Sequence, residues 1–190
     1  MTSTTAALHA ACTAQTTIAS PLGPILLART AKGLAGAWFE GQEHRPGPFS
    51  APDRPDDPLL AQAAAQLRAY FAGEACRFDL PLDLHGTPFQ RSVWQALLAI
   101  DAGQTRSYGE IATAIGAASA VRAVGGAIGR NPVSVIVPCH RVIGRDGSLT
   151  GYAGGVQRKQ ALLTLEAAAR AKALPTLADA ATAAATAAAA

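Results

Sequence analysis

The stretch that most constrains the fold is residues 135–144, Val-Ile-Val-Pro-Cys-His-Arg-Val-Ile-Gly. Its three leading β-branched residues are typical of a buried strand, and Pro138 ends that strand because proline has no N–H for the ladder. A thiol at this point, Cys139, is held rigidly but stays within reach of a reactant. The neighbouring imidazole of His140 and guanidinium of Arg141 favour the thiolate, which is the nucleophilic form. The pattern indicates a reactive cysteine, with a buried inert cysteine as the alternative.

The composition fits a cytoplasmic protein of one compact domain or two small ones. The 190 residues are 49% hydrophobic and 15% charged, which allows a sizeable core. The three cysteines, at positions 12, 76 and 139, are too widely spaced for a disulfide framework or a zinc ribbon. The first residues lack the pattern of a secretion signal, and no apolar stretch is long enough for a membrane helix. We therefore expect no metal, no cofactor and no membrane association.

Positive charge is concentrated in the part of the chain that contains Cys139. Residues 1–85 carry six Lys/Arg and eight Asp/Glu, a net charge of −2, whereas residues 86–172 carry ten and four, a net charge of +6. Such asymmetry indicates a polyanionic partner, although a solvated basic face would produce the same count.

The first part of the chain has the patterns of a small scaffold lobe, over residues 16–85, and no motif that carries chemistry. Residues 1–15 are rich in Ala and Thr, and we predict that they are disordered. Apolar positions recur at helical spacing from Leu59 to Phe71, and Gly73 ends that helix. Short apolar runs and an alternating run predict β-strands, separated by Gly and Pro turns. The predicted strands cover residues 16–20, 24–29, 33–39 and 78–84.

The second part begins at Gly86 and is mostly helical. Thr87 and Pro88 open a helix as its N-cap and first residue. Two short helices, over residues 107–116 and 119–129, are joined by a tight glycine-containing turn and predict a helix-turn-helix. Small residues on the second of these helices leave a narrow surface, for which close helix packing is an equally good explanation.

The segments around and after the Cys-His stretch are a helix end, a loop, a helix and a tail. Asn131 and a following proline close the second helix. The Gly-rich loop at 149–155 lacks the Lys-Ser/Thr ending of a phosphate-binding loop, so we reject nucleotide binding there. Glu166 lies among apolar neighbours on a helix predicted over residues 156–169, which favours a buried partner over a surface position. Residues 171–190 are nearly all Ala and Thr, and we predict a disordered tail.

Residues 87–166 resemble the O6-alkylguanine-DNA alkyltransferases (methylated-DNA–protein-cysteine methyltransferases), especially the bacterial non-inducible type. The motifs that carry the resemblance are Ser-Tyr-Gly-Glu-Ile-Ala at 107–112, Val-Arg-Ala-Val-Gly at 121–125, Asn-Pro at 131–132, Ile-Val-Pro-Cys-His-Arg-Val-Ile-Gly at 136–144, Leu-Thr-Gly-Tyr-Ala-Gly-Gly at 149–155, and Leu162, Leu163 and Glu166. The resemblance implies a mixed α+β fold with a ribonuclease-H-like lobe at 16–85. A mostly helical DNA-binding lobe at 86–170 then contains the helix-turn-helix and a short strand carrying the cysteine.

The resemblance also implies a reaction: direct, irreversible transfer of an alkyl group from O6 of guanine, and less readily O4 of thymine, to Cys139. In the family a Cys-His-water-Glu relay activates the thiol, which corresponds here to His140 and Glu166. Asn131 would tie the helix-turn-helix to the cysteine segment, a role compatible with a plain helix cap. Tyr108 would give a proton to the leaving guanine. The protein would be consumed after one repair and would need no cofactor.

Double-stranded DNA containing O6-alkylguanine or O4-alkylthymine is the implied partner of a monomer. The damaged base must be flipped out of the duplex. The resemblance implies that the second helix enters the minor groove and that Arg122 fills the gap. Ala153 stands where the family often has a hydroxyl residue, so only a backbone contact to the substrate oxygen remains there. The implied base-pocket residues are Tyr108, Val142, Gly151, Tyr152, Ala153 and Gly154.

Two other classes of protein fit parts of the sequence. A DNA-binding regulator would use the same helix-turn-helix without chemistry, and Cys139 argues against it. A Cys-His hydrolase would be acylated and turned over, and it would have no use for the helix-turn-helix or Arg122.

Overall fold

The computed structural model describes residues 3–173, so most of the predicted tail at 171–190 lies outside the described residues. The elements in this range are α1 (Ser3–Ala11), β1 (Cys12–Ile18), β2 (Ile25–Thr30), β3 (Leu34–Phe39), α2 (Pro58–Phe71), α3 (Pro88–Leu98), β4 (Arg106–Ser107), α4 (Tyr108–Ala114), α5 (Val121–Gly129), a 3₁₀ helix (Cys139–Arg141), β5 (Val142–Ile143) and α6 (Val156–Ala173). The predicted mixed architecture, a small sheet lobe followed by a helical lobe, is confirmed. No helix in the described range is long and apolar enough to cross a membrane.

The amino-terminal lobe is built on an antiparallel sheet in the order β1-β2-β3. Ile18 pairs with Ile25 and Ile25 with Phe39, so the three strands predicted from the apolar runs are present and in register. Helix α2 covers one face of the sheet with Leu60 and Leu67, both fully buried. This face continues into the core of the second lobe.

The other face of the sheet is covered by α1, where the sequence predicted disorder. Leu8 of α1 packs with Trp38 and Phe49 in a small separate cluster, and His9 stacks on Phe49 with ring centroids 4.4 Å apart. The alanine-rich segment has high helix propensity but presents almost no apolar periodicity, so its helix depends on this tertiary contact. The prediction of disorder over residues 1–15 was wrong for Ser3–Ala11 and for the start of β1.

The alternating run at 78–84 does not form a strand in the described structure. Its contact with the sheet is a single bridge between Leu34 and Leu82, supported by hydrogen bonds from Leu34 N to Pro81 O (2.8 Å) and from Asp83 N to Leu34 O (2.9 Å). Pro81 cannot donate to a ladder, so the pairing stops after one bridge. The apolar side chains still pack against the core, which is the burial that the alternation reported.

The carboxy-terminal lobe packs α3, α4 and α5 around one core. Thr87 caps α3 as predicted, in a reciprocal capping box with Gln90, and Ser107 caps α4 in the same way with Glu110. Trp94 of α3 is buried and donates from Nε1 to the carbonyl oxygen of Ala127 in α5, at 2.9 Å. The helix-turn-helix formed by α4 and α5 is therefore fixed from behind by α3.

The segment that leads to Cys139 is a buried turn and not the predicted strand. Val135 has a φ of +72°, which breaks an extended chain. The contact with the sheet is again one bridge, between Ala37 and Val133. Because prolines stand at 132 and 138, neither end of the segment can donate to a ladder, and the β-branched residues report burial alone. Cys139 accordingly sits in a 3₁₀ helix, and the short parallel β4–β5 pair lies just beyond it.

Candidate active site

Cys139 lies at the floor of a pocket between the two lobes. Its side chain is 5% exposed, and the pocket above it has a volume of about 280 Å³. The residues lining this pocket are Glu43, Tyr108, Gly125, Ile128, Gly129, Cys139, Thr150, Gly151, Tyr152 and Ala153. The thiol is enclosed but accessible, as the sequence predicted.

Asn131 fixes the cysteine segment against the end of α5. Its side-chain nitrogen donates to the carbonyl oxygen of Val137 (2.8 Å) and to the Cys139 sulfur (3.0 Å). Its side-chain oxygen accepts from the backbone N–H of Val133 at 3.0 Å. The predicted link between the helix-turn-helix and the cysteine segment is present, and one of its bonds reaches the sulfur itself.

Behind the thiol lies a buried cluster centred on Glu166 of α6. The carboxylate is fully buried and 2.8 Å from Nε2 of His140, which is also fully buried. Arg141 donates to it from Nη2 (2.7 Å) and Nε (2.9 Å), the Tyr70 hydroxyl donates at 2.7 Å, and the Gly103 N–H at 3.0 Å. Although burial opposes ionisation, the hydrogen bonds from His140 and Arg141 lower the pKa of Glu166 well below its usual range. The surface alternative for Glu166 is excluded.

His140 has one ring nitrogen committed and one unused. Burial, only partly offset by the Glu166 carboxylate, lowers the pKa of the imidazole, so it is neutral at pH 7. The bond to Glu166 assigns the proton to Nε2, which leaves a lone pair on Nδ1. Within residues 3–173, Nδ1 has no hydrogen-bond partner. The ring can therefore accept a proton at Nδ1 and be stabilised as imidazolium by the carboxylate.

The thiol of Cys139 is protonated at rest. Burial raises its pKa to about 11, and the hydrogen bond from Asn131 and the charge of Lys159 offset this only in part. The sequence had assigned the favourable influence to His140 and Arg141, but the imidazole is paired with Glu166 and the guanidinium points to Glu166 and to the carbonyl oxygen of Ile100. Attack by sulfur therefore requires a base to remove the proton.

Lys159 is the charged residue near the thiol that sequence reasoning missed. It is fully buried on α6, and its ammonium donates to the carbonyl oxygen of Thr150 at 2.8 Å. The available signal was its distance of seven residues from Glu166, which places both on one face of a helix after two turns. A buried lysine at this position holds the rim of the pocket and adds positive potential at its floor.

The predicted pocket residues fall into two groups. Tyr108, Gly151, Tyr152 and Ala153 line the pocket. The Tyr108 hydroxyl donates to the carbonyl oxygen of Thr150 at 3.1 Å, so it links the start of α4 to the Gly-rich loop. The other two predicted contacts, Val142 and Gly154, are buried outside the pocket lining, and a binding role for them stays a prediction.

Arg158 is a second residue that sequence reasoning missed. Its guanidinium donates to the carbonyl oxygens of Leu22 (2.8 Å), Gly154 (2.9 Å) and Glu40 (3.2 Å), and it lies over the Phe39 ring at 4.8 Å. The side chain thus joins the Gly-rich loop at 149–155, which we call the pocket loop, to the amino-terminal lobe. Single-residue patterns give no signal for such a role, because all of its hydrogen-bond partners are backbone oxygens.

The outer face of α5 is open. Val121, Arg122 and Ala123 are exposed. A Cβ added at Gly125 would meet only the Tyr108 ring, at an ordinary contact distance of 3.8 Å, so close helix packing does not require this glycine. Gly125 instead forms part of the wall of the pocket above Cys139.

Comparison with known protein families identifies the family to which the chain belongs. The model of the ribonuclease-like domain of 6-O-methylguanine DNA methyltransferase matches residues 14–84, and the model of its DNA-binding domain matches residues 88–168. The chain belongs to the 6-O-methylguanine DNA methyltransferase family. The protein is thus a DNA-repair methyltransferase, and our predicted lobe boundary at His85 and Gly86 falls between the two matched stretches.

Curated and solved relatives cover most of the chain. The methylated-DNA–protein-cysteine methyltransferase of Mycobacterium tuberculosis is 54% identical over 150 residues, covering 79% of this chain and 90% of the relative. That of Methanosarcina barkeri is 51% identical over 150 residues, covering 78% and 94%. The M. tuberculosis OGT solved in complex with DNA superposes with a TM-score of 0.75 at 51% identity, covering 82% of this chain and 94% of that one.

In the part of the chain that the structure describes, no group of three or more His, Cys, Asp and Glu side chains could hold a metal ion. All three cysteines are free thiols. Among the described residues, the pocket and the cluster behind it supply one thiol, one imidazole–carboxylate pair, the ammonium of Lys159, the carboxylate of Glu43 and two tyrosine hydroxyls on the pocket wall.

Proposed function

We propose that this protein repairs DNA by transferring the alkyl group of O6-alkylguanine, and of O4-alkylthymine, to Cys139 in a single irreversible turnover. The observation that carries the proposal is the unused Nδ1 of His140. It belongs to a buried imidazole paired with Glu166 at 2.8 Å, in the residue that follows the protonated Cys139 at the floor of a pocket.

The reaction starts with deprotonation of the thiol. The proton of Cys139 passes through a water molecule to Nδ1 of His140, and Glu166 stabilises the imidazolium that forms. The thiolate attacks the alkyl carbon, the carbon–oxygen bond breaks, and its electron pair stays with the guanine. Tyr108, on the pocket wall, donates the proton that the leaving base needs. Asn131 orients the sulfur throughout through its 3.0 Å contact.

DNA binding follows from the position of the pocket beside α5. A thiol at a pocket floor cannot reach O6 of a stacked base, so the nucleotide is flipped out into the pocket. We assign insertion into the minor groove to α5 and filling of the vacated stack to Arg122, which is exposed at the start of that helix. The M. tuberculosis OGT was solved in complex with DNA, which supports DNA as the partner.

The product is an S-alkyl thioether, which the same groups cannot cleave. Each molecule therefore repairs one lesion, and it does so as a monomer without a cofactor. We assign the protein to the reducing cytoplasm, an assignment that its three free thiols support.

The test is incubation of the protein with duplex DNA carrying O6-[methyl-³H]guanine. We expect label on Cys139 at one per molecule, no label on the Cys139→Ala variant, and full labelling of the matched Cys76→Ala variant. Free label released over repeated turnovers would instead identify a hydrolase. Tight binding without transfer would identify a DNA-binding regulator.

A further inference from the structure

One carboxylate lies on the wall of the pocket that would receive the base. Apart from the thiol and the two tyrosines, Glu43 contributes the only ionisable side chain among the described residues that line it. It comes from the amino-terminal lobe, in the loop after β3, for which the sequence predicted no part in the chemistry. The pocket is otherwise formed mainly by glycines and apolar groups.

The loop that carries Glu43 is fixed on both sides. The side-chain oxygen of the preceding residue, Gln42, is buried and accepts from Phe39 N (3.1 Å) and from the Ser134 hydroxyl (2.9 Å), in the turn that leads to the catalytic cysteine. The N–H of Glu43 donates to the carbonyl oxygen of Ala153 at 2.9 Å. The backbone of Glu43 is thus held at the pocket by its own hydrogen bond and by the buried amide of Gln42.

The carboxylate itself is exposed and, within residues 3–173, forms no hydrogen bond or salt bridge. Its negative charge is therefore not neutralised by a neighbouring side chain and acts on whatever group enters the pocket. We infer that Glu43 makes the pocket select adducts by charge, disfavouring O6-alkyl groups that carry an anion relative to neutral groups of the same size. The inference rests on the proposed alkyl transfer and adds a substrate class to it.

The size of the effect follows from Coulomb's law. Two like charges about 8 Å apart, in an effective dielectric of about 40, change a rate or binding constant about fivefold. Because the carboxylate is exposed, the effect decreases as salt is added. Repulsion between Glu43 and the DNA phosphates is the same for both adducts and cancels in the ratio of the two, and repulsion between the phosphates and the anionic adduct is the same for every variant.

The experiment compares two adducts that differ in charge and not in size. Single-turnover rate constants are measured on one duplex sequence carrying O6-carboxymethylguanine or O6-carbamoylmethylguanine, for the wild type, Glu43→Gln and the matched Glu40→Gln. Glu40 is an exposed neighbouring carboxylate outside the pocket lining. Dissociation constants of the same duplexes are measured in the Cys139→Ala background, so that a slow adduct still yields a value.

We expect Glu43→Gln to raise the rate constant for the anionic adduct, relative to that for the neutral adduct, about fivefold at low salt. Glu40→Gln should leave this ratio of rate constants unchanged. The gain should shrink in about 0.5 M salt, where charges are screened over a few ångströms. If the rate ratio is unchanged in Glu43→Gln, or changes equally in both variants, the inference is overturned. The proposed function still holds in that case as long as the wild type accepts the methyl group of O6-methylguanine. If the wild type does not accept the methyl group of O6-methylguanine, both the inference and the proposed function are overturned.

Discussion

At the scale of single residues, Glu166 pairs with the buried Arg141 and, in the proposed mechanism, also stabilises the imidazolium of His140. Glu166→Gln keeps the shape but removes the charge. We expect single-turnover transfer to slow about 100-fold, because general-base assistance of this kind contributes factors of about 10² to 10⁴. Rates are measured at temperatures where circular dichroism shows that the variant is folded, since Arg141 loses its partner.

Tyr70→Phe is the matched control for that change. It removes the 2.7 Å hydrogen bond to the same carboxylate but leaves its charge. Loss of one buried hydrogen bond should cost about 1–2 kcal/mol of stability and change the rate by less than about fivefold. Equal slowing in Tyr70→Phe and Glu166→Gln would assign the effect to packing of the cluster and not to the charge of the relay.

The thiol of Cys139 should make the protein less stable in alkali. Its folded-state pKa of about 11 exceeds the ordinary value of 9.0, so its contribution to stability is complete below pH 9 and is lost as the pH rises to 11. The loss amounts to about 3 kcal/mol. Urea unfolding between pH 8 and 11 should therefore show a shallower decline for Cys139→Ala than for the wild type. Parallel declines would mean that the pKa of the thiol is the same in the folded and unfolded states.

At the scale of elements, the exposed start of helix α5 should matter only for substrates embedded in a duplex. Arg122→Ala removes the side chain proposed to fill the vacated stack, so repair of O6-methylguanine in duplex DNA should slow about 100-fold. The reaction with free O6-benzylguanine should change less than about twofold, because the pocket is intact. Arg130→Ala removes the same charge at the other end of α5 and serves as control. Equal losses on the free base and the duplex would contradict the flipping role.

The elements also show what the sequence could predict. The predicted starts of helices were correct where a single side chain determines them, as Thr87 and Ser107 do through their capping boxes. The strands expected at 78–84 and before Cys139 were wrong because alternation and β-branching report burial, whereas proline at 81, 132 and 138 decides whether a ladder can form. Glu166 was predicted from its apolar neighbours, but Lys159 and Arg158 were not, since their partners are carbonyl oxygens that only the fold brings together.

At the scale of the whole molecule, Arg158 and Tyr70 connect the two lobes. Arg158→Ala should detach the pocket loop from the amino-terminal lobe, because three hydrogen bonds to backbone oxygens are lost. We expect transfer to slow about tenfold or more on both duplex and free-base substrates, since small displacements of a reacting group have effects of that size. This pattern differs from that of Arg122→Ala, which spares the free base.

Arg158→Lys is the control for the connection between the lobes. It keeps the charge near Phe39 but cannot serve three acceptors at once. We expect it to give an intermediate rate and a melting temperature close to that of the wild type. A normal rate in Arg158→Ala would show that the loop is held by its other contacts, such as the bond from Glu43 N to Ala153 O.

The resting protonation of Cys139 has a consequence for the lifetime of the protein in a cell. Peroxides, disulfides and diffusible electrophiles attack thiolates, and a buried sulfur with a pKa of about 11 presents almost none at neutral pH. The sulfur that we propose to accept a single alkyl group is thereby protected from small oxidants. The number of active protein molecules should fall as lesions are repaired and should hardly change under oxidative stress.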